Sequence, residues 1–366
     1  MYPHRVLLVV TGLSPQVVTE TAFALAVQQQ PPFVPTEIHL VTTAEGAERA
    51  RLTLLGEEGA LGALADEWDV PGLRSALDES RIHVVTGVDG QPLPDILIPE
   101  DNARAADLIT ELVRRLTASP ATALHVSIAG GRKTMGFFAG YALSLYGRPQ
   151  DALSHVLVPP ELEQHPQFFF PPRRPRVLFG RDTKPIRAEA SAVRLASIPF
   201  VRLRHGLPDR LLAGQATYAE AVGSVGAVLG APQLLVDLAQ GRIVAGGVAV
   251  PMPPVQIAFA AFFAERRAML PDGEVAVSWR DADPKRFLEL YASLVGPGHP
   301  TSARIAALLA EGMPKEWFDE RKARHNKLVE AALGWNAAPY RIEATGRRPH
   351  TRFRLGLPAD AITLRW

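Results

Sequence analysis

Residues 123–147, ALHVSIAGGRKTMGFFAGYALSLYG, contain the transition that decides the fold of the first half of the chain. An apolar run ends in Gly130-Gly131, and Arg132 and Lys133 then open a helix-like stretch. The glycine pair predicts a tight turn between a strand and a helix. The turn does not explain the two cations, because the helix dipole disfavours positive charge in the first turn. Their position indicates contact with a phosphate or another anion.

The same order of strand, turn and helix is repeated along residues 5–158. The apolar runs are RVLLVVT, EIHLVTT, RIHVVTG, ALHVSIA and LSHVLV, and the helix-like stretches are PQVVTETAFALAVQQQ, EGAERARLTLLGEEGALGALADEW, DNARAADLITELVRRLTA and KTMGFFAGYALSLYG. Nearly all-apolar strands that alternate with helices predict a parallel sheet covered on both faces. We therefore expect a Rossmann-like α/β domain over residues 1–185, with its ligand beyond the carboxyl ends of the strands.

A proline-rich segment, from Pro159 to Phe200, ends this alternation. We place the domain boundary between residues 185 and 186. The rest of the chain is mainly helical and then ends in β-structure. Three helix-like stretches, within VPMPPVQIAFAAFFAERR, FLELYASLV and KEWFDERKARHNKLVEAALG, precede the alternating segment AAPYRIEATGRRPHTRFRLGLP. This order is typical of a winged helix-turn-helix-like domain, here over residues 186–366, whose wing is a β-hairpin.

Composition narrows the classes of function. The 366 residues carry 39 Lys and Arg and 38 Asp and Glu, a formal net charge of +1, so any nucleic-acid surface must be local. The chain has no cysteine, which excludes disulfides and thiolate metal sites and suits a cytoplasmic protein. Gly12 and Pro15 interrupt the first apolar run, so we expect neither a signal peptide nor a membrane span. Neither turn offers a carboxylate cluster, and we predict no metal or cofactor.

The turns after the first and fourth strands could act together on a phosphodiester. Ser14-Pro15 is first of all a helix start, because serine is a good N-cap and proline suits the first helical position. Gly12 allows a ligand to approach the backbone closely. If Ser14 and Lys133 face each other across the top of the sheet, the lysine could stabilise charge on a phosphorane and the serine could orient an attacking hydroxyl. In RNA that hydroxyl can be the substrate's own 2′-OH.

Two acidic positions near these turns are expected to be structural. Asp101-Asn102 is expected to cap the helix that follows it. Glu20, on the first helix, is expected to be a solvated charge rather than a base.

VTGLSPQVVTET, EIHLVTT, Asp101-Asn102 and LHVSIAGGRKTMGFFAGYALSLYG resemble the CRISPR-associated Rossmann-fold (CARF) proteins, and among them the group related to archaeal ring nucleases. The resemblance covers roughly residues 1–185. It implies a role in type III CRISPR signalling and a homodimer that binds a cyclic oligoadenylate, cyclic tetra-adenylate in particular, at its two-fold axis. It also implies metal-independent cleavage to linear products with 2′,3′-cyclic phosphate ends.

The resemblance assigns the catalytic positions of ring nucleases to Ser14 and Lys133. Their neighbours on the two turns are the expected ligand-binding residues: Thr11, Gly12, Leu13, Gly130, Gly131, Arg132 and Thr134.

Two other functions stay open. A non-catalytic CARF sensor would bind the ring and regulate DNA binding through the winged-helix-like domain. The residues expected to contact nucleic acid are then Arg324, Lys327, Arg347, Arg348 and Arg352. The second open function is an effector ribonuclease whose active site is not recognisable in the sequence. The HEPN type of ribonuclease needs an arginine and a histidine closely spaced on a helix. The nearest match, Arg148 and His155, falls in a turn and a strand, so this class is not expected.

Overall fold

The structure is a computed structural model that describes residues 2–163, 165–180, 183–226, 231–296, 298–347 and 350–366. Its chain divides into two compact units, Met1–Arg204 and His205–Trp366.

The first unit is built on a six-stranded sheet of order β3-β2-β1-β4-β5-β8. The sheet strands are β1 (His4–Val10), β2 (Glu37–Thr42), β3 (Ile82–Val84), β4 (Thr122–Ser127), β5 (Ala152–Leu157) and β8 (Arg194–Ser197). A separate antiparallel hairpin, β6 (Arg176–Phe179) and β7 (Pro185–Ala188), lies between β5 and β8 in the chain. Strands β1 to β5 pair in parallel, which confirms the predicted parallel sheet, and β8 is antiparallel to β5. Because β1 and β4 are neighbours, the turns that follow them leave the sheet side by side.

Helices connect the parallel strands as the alternation predicted. They are α1 (Gln16–Phe23), which continues as a π-helical segment (Ala24–Gln28), α2 (Ala44–Leu54), α3 (Ala60–Trp68), α4 (Pro99–Leu116) and α5 (Lys133–Tyr146). The single stretch expected over residues 45–68 is two helices, because Gly56 between them adopts a φ of +86°. Strand β1 is buried on both sides, since Val6 to Val10 are all at most 2% exposed. The sheet is therefore covered on both faces.

The first unit ends at Arg204 rather than at residue 185, which corrects the predicted boundary. Strand β8 extends the sheet at the β5 edge, and Ala188 and Val193 are buried in the core. The Arg202 guanidinium donates hydrogen bonds to the backbone oxygens of Arg148 and Asp151, at 2.9 Å each. Proline breaks the helix–strand alternation in this segment without ending the domain.

The second unit contains the predicted helices and hairpin. Its elements are α6 (Asp209–Leu212), α7 (Tyr218–Gly226), β9 (Leu234–Asp237), β10 (Arg242–Ala245), β11 (Val248–Val250), α8 (Pro254–Met269), α9 (Asp272–Val275), α10 (Pro284–Val295), α11 (Pro300–Leu308), α12 (Lys315–Leu333), β12 (Ile342–Thr345), β13 (Arg352–Leu355) and β14 (Ile362–Arg365). Helices α8, α10 and α12 are the three expected from sequence, and β12 and β13 form the expected antiparallel hairpin.

The second unit also contains a sheet that the sequence analysis did not predict. Its order is β11-β10-β9-β14, with β14 parallel to β9 and the other pairs antiparallel. Helix α8 packs among aromatic side chains, with the Phe259 ring 5.2 Å from Phe263 and 5.6 Å from Phe318. Within the residues that the structure describes, no helix is long and apolar enough to cross a membrane.

Candidate ligand-binding site

The turns after β1 and β4 pack backbone against backbone. A Cβ built on Gly12 would lie 3.5 Å from the Cα of Gly131, and one built on Gly130 would lie 2.8 Å from Thr11 Oγ1. Gly131 also has a φ of +79°, which glycine adopts without strain. The close approach explains why both turns contain glycine. It brings together two motifs whose glycines, Gly12 and Gly130, are 118 positions apart in the chain.

A cavity of about 500 Å³ opens where these turns meet. This volume is typical of small-molecule sites. Six of the residues expected to contact the ligand or act on it line the cavity: Gly12, Leu13, Ser14, Gly130, Gly131 and Arg132. Thr11 lies beneath it, fully buried, and its Oγ1 donates a hydrogen bond to the backbone oxygen of Ser14 at 3.0 Å.

Lys133 and Thr134 lie on a second, more open cavity of about 640 Å³. Its other walls come from the start of α4 and the segment before it: Ile96, Leu97, Ile98, Pro99 and Asn102. Ser14 and Lys133 therefore line different cavities of one chain, and Arg132 lines both. The second cavity is apolar at its edge, because Leu97 and Ile98 are 73% and 52% exposed.

Ser14 does not cap the first helix, so the expected N-cap role is wrong. The residue at the N-cap is Pro15, α1 begins at Gln16, and no side chain caps it. Within the described chain, the Ser14 hydroxyl has no hydrogen-bond partner. Helix α5 likewise begins without a side-chain cap, and neither helix has an acidic residue in its first turn. The backbone N–H groups of Gln16 in α1 and of Lys133 and Thr134 in α5 have no partner among the described residues, so they are available to an anion.

Of the two cations at the start of α5, Arg132 already has a carboxylate partner. Its Nε donates to Asp95 Oδ1 at 3.0 Å, and a second guanidinium nitrogen bonds to Asp95 Oδ2. The hydrogen bond from Arg132 lowers the pKa of Asp95 below its usual range. Lys133 is exposed and forms no ion pair with any residue that the structure describes. An incoming phosphate would therefore find Lys133 available and Arg132 held by Asp95.

Glu20 is buried in the cavity wall, so the expectation of a solvated charge is wrong. The residue is 4% exposed. Burial, and next the negative charge of Glu163, raise its pKa to about 8. The carboxyl is therefore protonated at neutral pH. The sequence did not reveal this, because Val18 to Phe23 are all buried although three of these six residues, Thr19, Glu20 and Thr21, are polar.

Four other residues that line the cavity were not predicted from the sequence, for two different reasons. Thr43 and Glu45 follow β2, and the rule that ligands bind at the carboxyl ends of strands could have found them. Asp95 and Glu163 come from irregular segments, which carry no periodic signal. Asp101 does help to cap α4, but from inside its first turn, because the helix begins at Pro99, before the predicted pair. Its Oδ2 accepts hydrogen bonds from the backbone N–H groups of Leu97 and Ile98. Over the described ranges, no group of three or more His, Asp or Glu side chains is placed to hold a metal ion.

The basic residues predicted for nucleic acid lie on α12 and the hairpin of the second unit. Arg324 and Lys327 are exposed on α12, and Arg347 is exposed where the hairpin loop begins. None of the three has an ion-pair partner within the described ranges. Arg352 is paired with Asp281 at 3.2 Å. Arg348 lies outside the described residues.

The match to a protein family covers the first unit from Ser14 onward and extends into the second unit. The sequence model of the family described as CRISPR-associated protein NE0113 matches residues 14–227, more than half of the chain. The chain belongs to this family. The matched span of this CRISPR-associated protein begins at Ser14 and includes the cavity-lining residues of α1 and α5. A search of the curated proteins found no match.

Proposed function

We propose that this CRISPR-associated protein is a CARF-type ring nuclease of type III CRISPR signalling. It binds a cyclic oligoadenylate, cyclic tetra-adenylate in particular, where the turns after β1 and β4 meet, and cleaves it without a metal. The observation that carries the proposal is the convergence of two uncapped helix N-termini beside an unbonded Ser14 hydroxyl. The strand order, with the site beside the point where it reverses between β1 and β4, supports a Rossmann-like assignment.

The chemistry is an internal transesterification. The 2′-oxygen of one ribose loses its proton and forms a bond to the neighbouring phosphorus, and the bond from phosphorus to the 5′-oxygen breaks. The leaving 5′-oxygen takes up one proton, so the reaction neither gains nor loses protons overall. The products are linear, with a 2′,3′-cyclic phosphate at one end and a 5′-hydroxyl at the other. Ser14 orients the attacking hydroxyl. Lys133 stabilises the negative charge that develops on the phosphorane oxygens.

A homodimer is part of the proposal, because Ser14 and Lys133 line different cavities of one chain. A ring centred on a two-fold axis would contact both cavities of each copy. The second cavity carries the apolar surface that such an interface needs, since Leu97, Ile98 and Phe137 are all more than half exposed. Phe137 lies one helical turn after Lys133 on α5, which places the apolar contact next to the proposed catalytic lysine.

The test is incubation of the purified protein with cyclic tetra-adenylate in EDTA, followed by chromatography of the products. We expect linear products from the wild type and a loss of about a hundredfold or more in rate for Ser14→Ala and for Lys133→Ala. Ser75→Ala and Lys285→Ala, at exposed positions outside the site, serve as matched controls and should cleave at the wild-type rate. Equal rates in all five proteins would contradict the assignment of Ser14 and Lys133.

The alternative is a non-catalytic sensor that passes the signal to a DNA-binding domain. Two observations favour it: Arg132 is held by Asp95, and Arg324 and Lys327 are exposed without ion-pair partners among the described residues. In the same assay a sensor would leave the ring bound and intact. The protein would then bind duplex DNA in a salt-dependent way that changes with the ring and weakens when Arg324 and Lys327 are both replaced by Gln.

A further inference from the structure

Two polar side chains on one face of α1 point to a base-binding function for the wall of the cavity. Gln16 and Glu20 are four residues apart, so they are neighbours on the helix surface, and both line the 500 Å³ cavity. Glu20 is the only ionisable residue of α1. Gln16 is the first residue of α1 and Glu20 lies one turn further along the helix, so both stand close to the N-terminal N–H groups expected to contact phosphate.

Both side chains lack the hydrogen bonds that buried polar groups normally make. Gln16 Oε1 is inaccessible to solvent and has no partner among the residues that the structure describes. Glu20 is 4% exposed, and the charged group that acts on its carboxyl is Glu163. No described residue donates a hydrogen bond to this carboxyl. An unsatisfied buried polar group is costly, so Gln16 Oε1, next to a carboxyl that receives no hydrogen bond from the described residues, indicates a ligand that supplies the missing partners.

The charged groups around the cavity keep Glu20 protonated. Glu163, in the segment after β5, faces it and disfavours a second negative charge. Glu45 lines the cavity from α2 but is paired with Arg49, and Asp95 is paired with Arg132. A protonated carboxyl offers an O–H donor, and Gln16 Oε1 offers an acceptor. Adenine presents the complement, because its 6-amino group donates and the adjacent ring nitrogen accepts.

We propose that Gln16 and Glu20 read the base of the ligand in this cavity. Gln16 Oε1 accepts a hydrogen bond from the 6-amino group of an adenine, and the protonated Glu20 carboxyl donates one to the adjacent ring nitrogen. This inference rests on the proposed function and adds the groups that make the site specific for adenine. Once Glu20 ionises, its carboxylate meets the ring nitrogen lone pair, and the contact is lost.

The test measures equilibrium binding of a non-cleavable ring, cyclic tetra-(2′-deoxyadenylate), by the full-length protein between pH 7 and pH 9. Because the pKa of Glu20 is about 8, we expect binding to weaken about tenfold per subunit across this range in the wild type. Glu20→Gln keeps a neutral donor and acceptor, so its affinity should change much less with pH. Glu163→Gln should move the midpoint to lower pH, and Glu48→Gln, a matched change at an exposed position of α2 outside the cavity, should behave like the wild type.

A second ring separates base reading from simple charge repulsion. In this ring every adenine is replaced by purine, which lacks the 6-amino group. We expect the wild type to bind it about tenfold more weakly or worse at pH 7. Gln16→Ala should bind both rings alike, because the partner of the 6-amino group is already gone. Equal binding of the two rings by the wild type would overturn the proposal.

The remaining outcomes distinguish this inference from the function on which it rests. If the adenine ring binds and Glu20→Gln shows the same pH curve as the wild type, base reading by Glu20 is wrong and the proposed function stands. If Glu20→Gln binds normally but cleaves the ribose ring more than tenfold more slowly, Glu20 transfers a proton and does not read the base. If neither the deoxyribose nor the ribose ring binds at any pH, the proposed function fails, and this inference fails with it.

Discussion

Arg148 and Asp151 form an ion pair inside the first unit, with side chains 9% and 0% exposed. Asp151 accepts hydrogen bonds from the guanidinium of Arg148 and from the backbone N–H groups of Leu124 and Arg148. Arg148 donates in turn to the backbone oxygens of Ser119 and Thr122. The arginine that a search for ribonuclease motifs would select is thus fully engaged in holding the end of α5 to β4.

Asp151→Ala is expected to destabilise the first unit strongly. The change leaves the Arg148 guanidinium buried without its counter-ion, which typically costs about 3–5 kcal/mol. The measurement is the free energy of unfolding in urea. Asp66→Ala breaks an exposed ion pair with Arg74 and is the matched control, for which we expect a much smaller loss because water screens the pair. A similar small loss for both variants would show that the Arg148–Asp151 pair contributes no more than a surface pair.

At the scale of elements, the start of α2 supports the turn after β1. Gly46 lies in the first turn of α2, and a Cβ there would overlap Thr42 Oγ1 and lie 2.5 Å from the backbone oxygen of Gly12. The same Gly12 packs against Gly131 on its other side. The connections that follow β1, β2 and β4 are therefore in contact at the cavity. The position of the turn that carries Ser14 depends on Gly46, which belongs to the connection after β2.

Gly46→Ala is expected to destabilise the protein although alanine is the better helix former. Alanine gains up to about 1 kcal/mol in helix propensity, but the overlap with backbone atoms should cost about 1–3 kcal/mol in strain. Gly140→Ala, in the middle of α5, is the matched control. Its Cβ would meet Leu153 Cδ2 at an ordinary 3.6 Å. Thermal unfolding should show a lower Tm for Gly46→Ala and an equal or higher one for Gly140→Ala, and the opposite order would contradict the steric argument.

At the scale of the whole molecule, each unit has its own hydrophobic core. The core of the first unit joins residues from Leu7 to Val193, and that of the second joins residues from Leu234 to Leu357. The segment 186–204 therefore supplies core and sheet contacts to the first unit, although the predicted boundary placed it in the second domain. The position of the boundary determines which fragments fold.

A fragment of residues 1–204 is expected to fold on its own, whereas a fragment of residues 1–185 is not. The shorter fragment loses β8, exposes the edge of β5, and removes the Arg202 hydrogen bonds and the buried Ala188 and Val193. Circular dichroism during heating and size-exclusion chromatography of both fragments provide the measurement. Cooperative unfolding and monodisperse elution of the 1–185 fragment, equal to those of 1–204, would restore the boundary inferred from the prolines.

The sequence by itself determined the parts of this protein that local chemistry specifies. Apolar runs of strand length and helix-length stretches between them predicted five parallel strands and their connections. The glycines of GGRKT and TGLSP predicted tight turns at the carboxyl ends of β4 and β1. The apolar runs and the turn glycines each act within one element or one turn, so these features can be predicted from neighbouring residues alone.

Only the tertiary structure decided how residues far apart in the chain change each other's chemistry. Asp95 neutralises Arg132 from 37 positions away, and Glu163 acts on Glu20 from a segment beyond β5. The same holds for the strand β8 that completes the first sheet and for the parallel pairing of β9 with β14. Burial and charge pairing are properties of the packed molecule, and no local pattern records them.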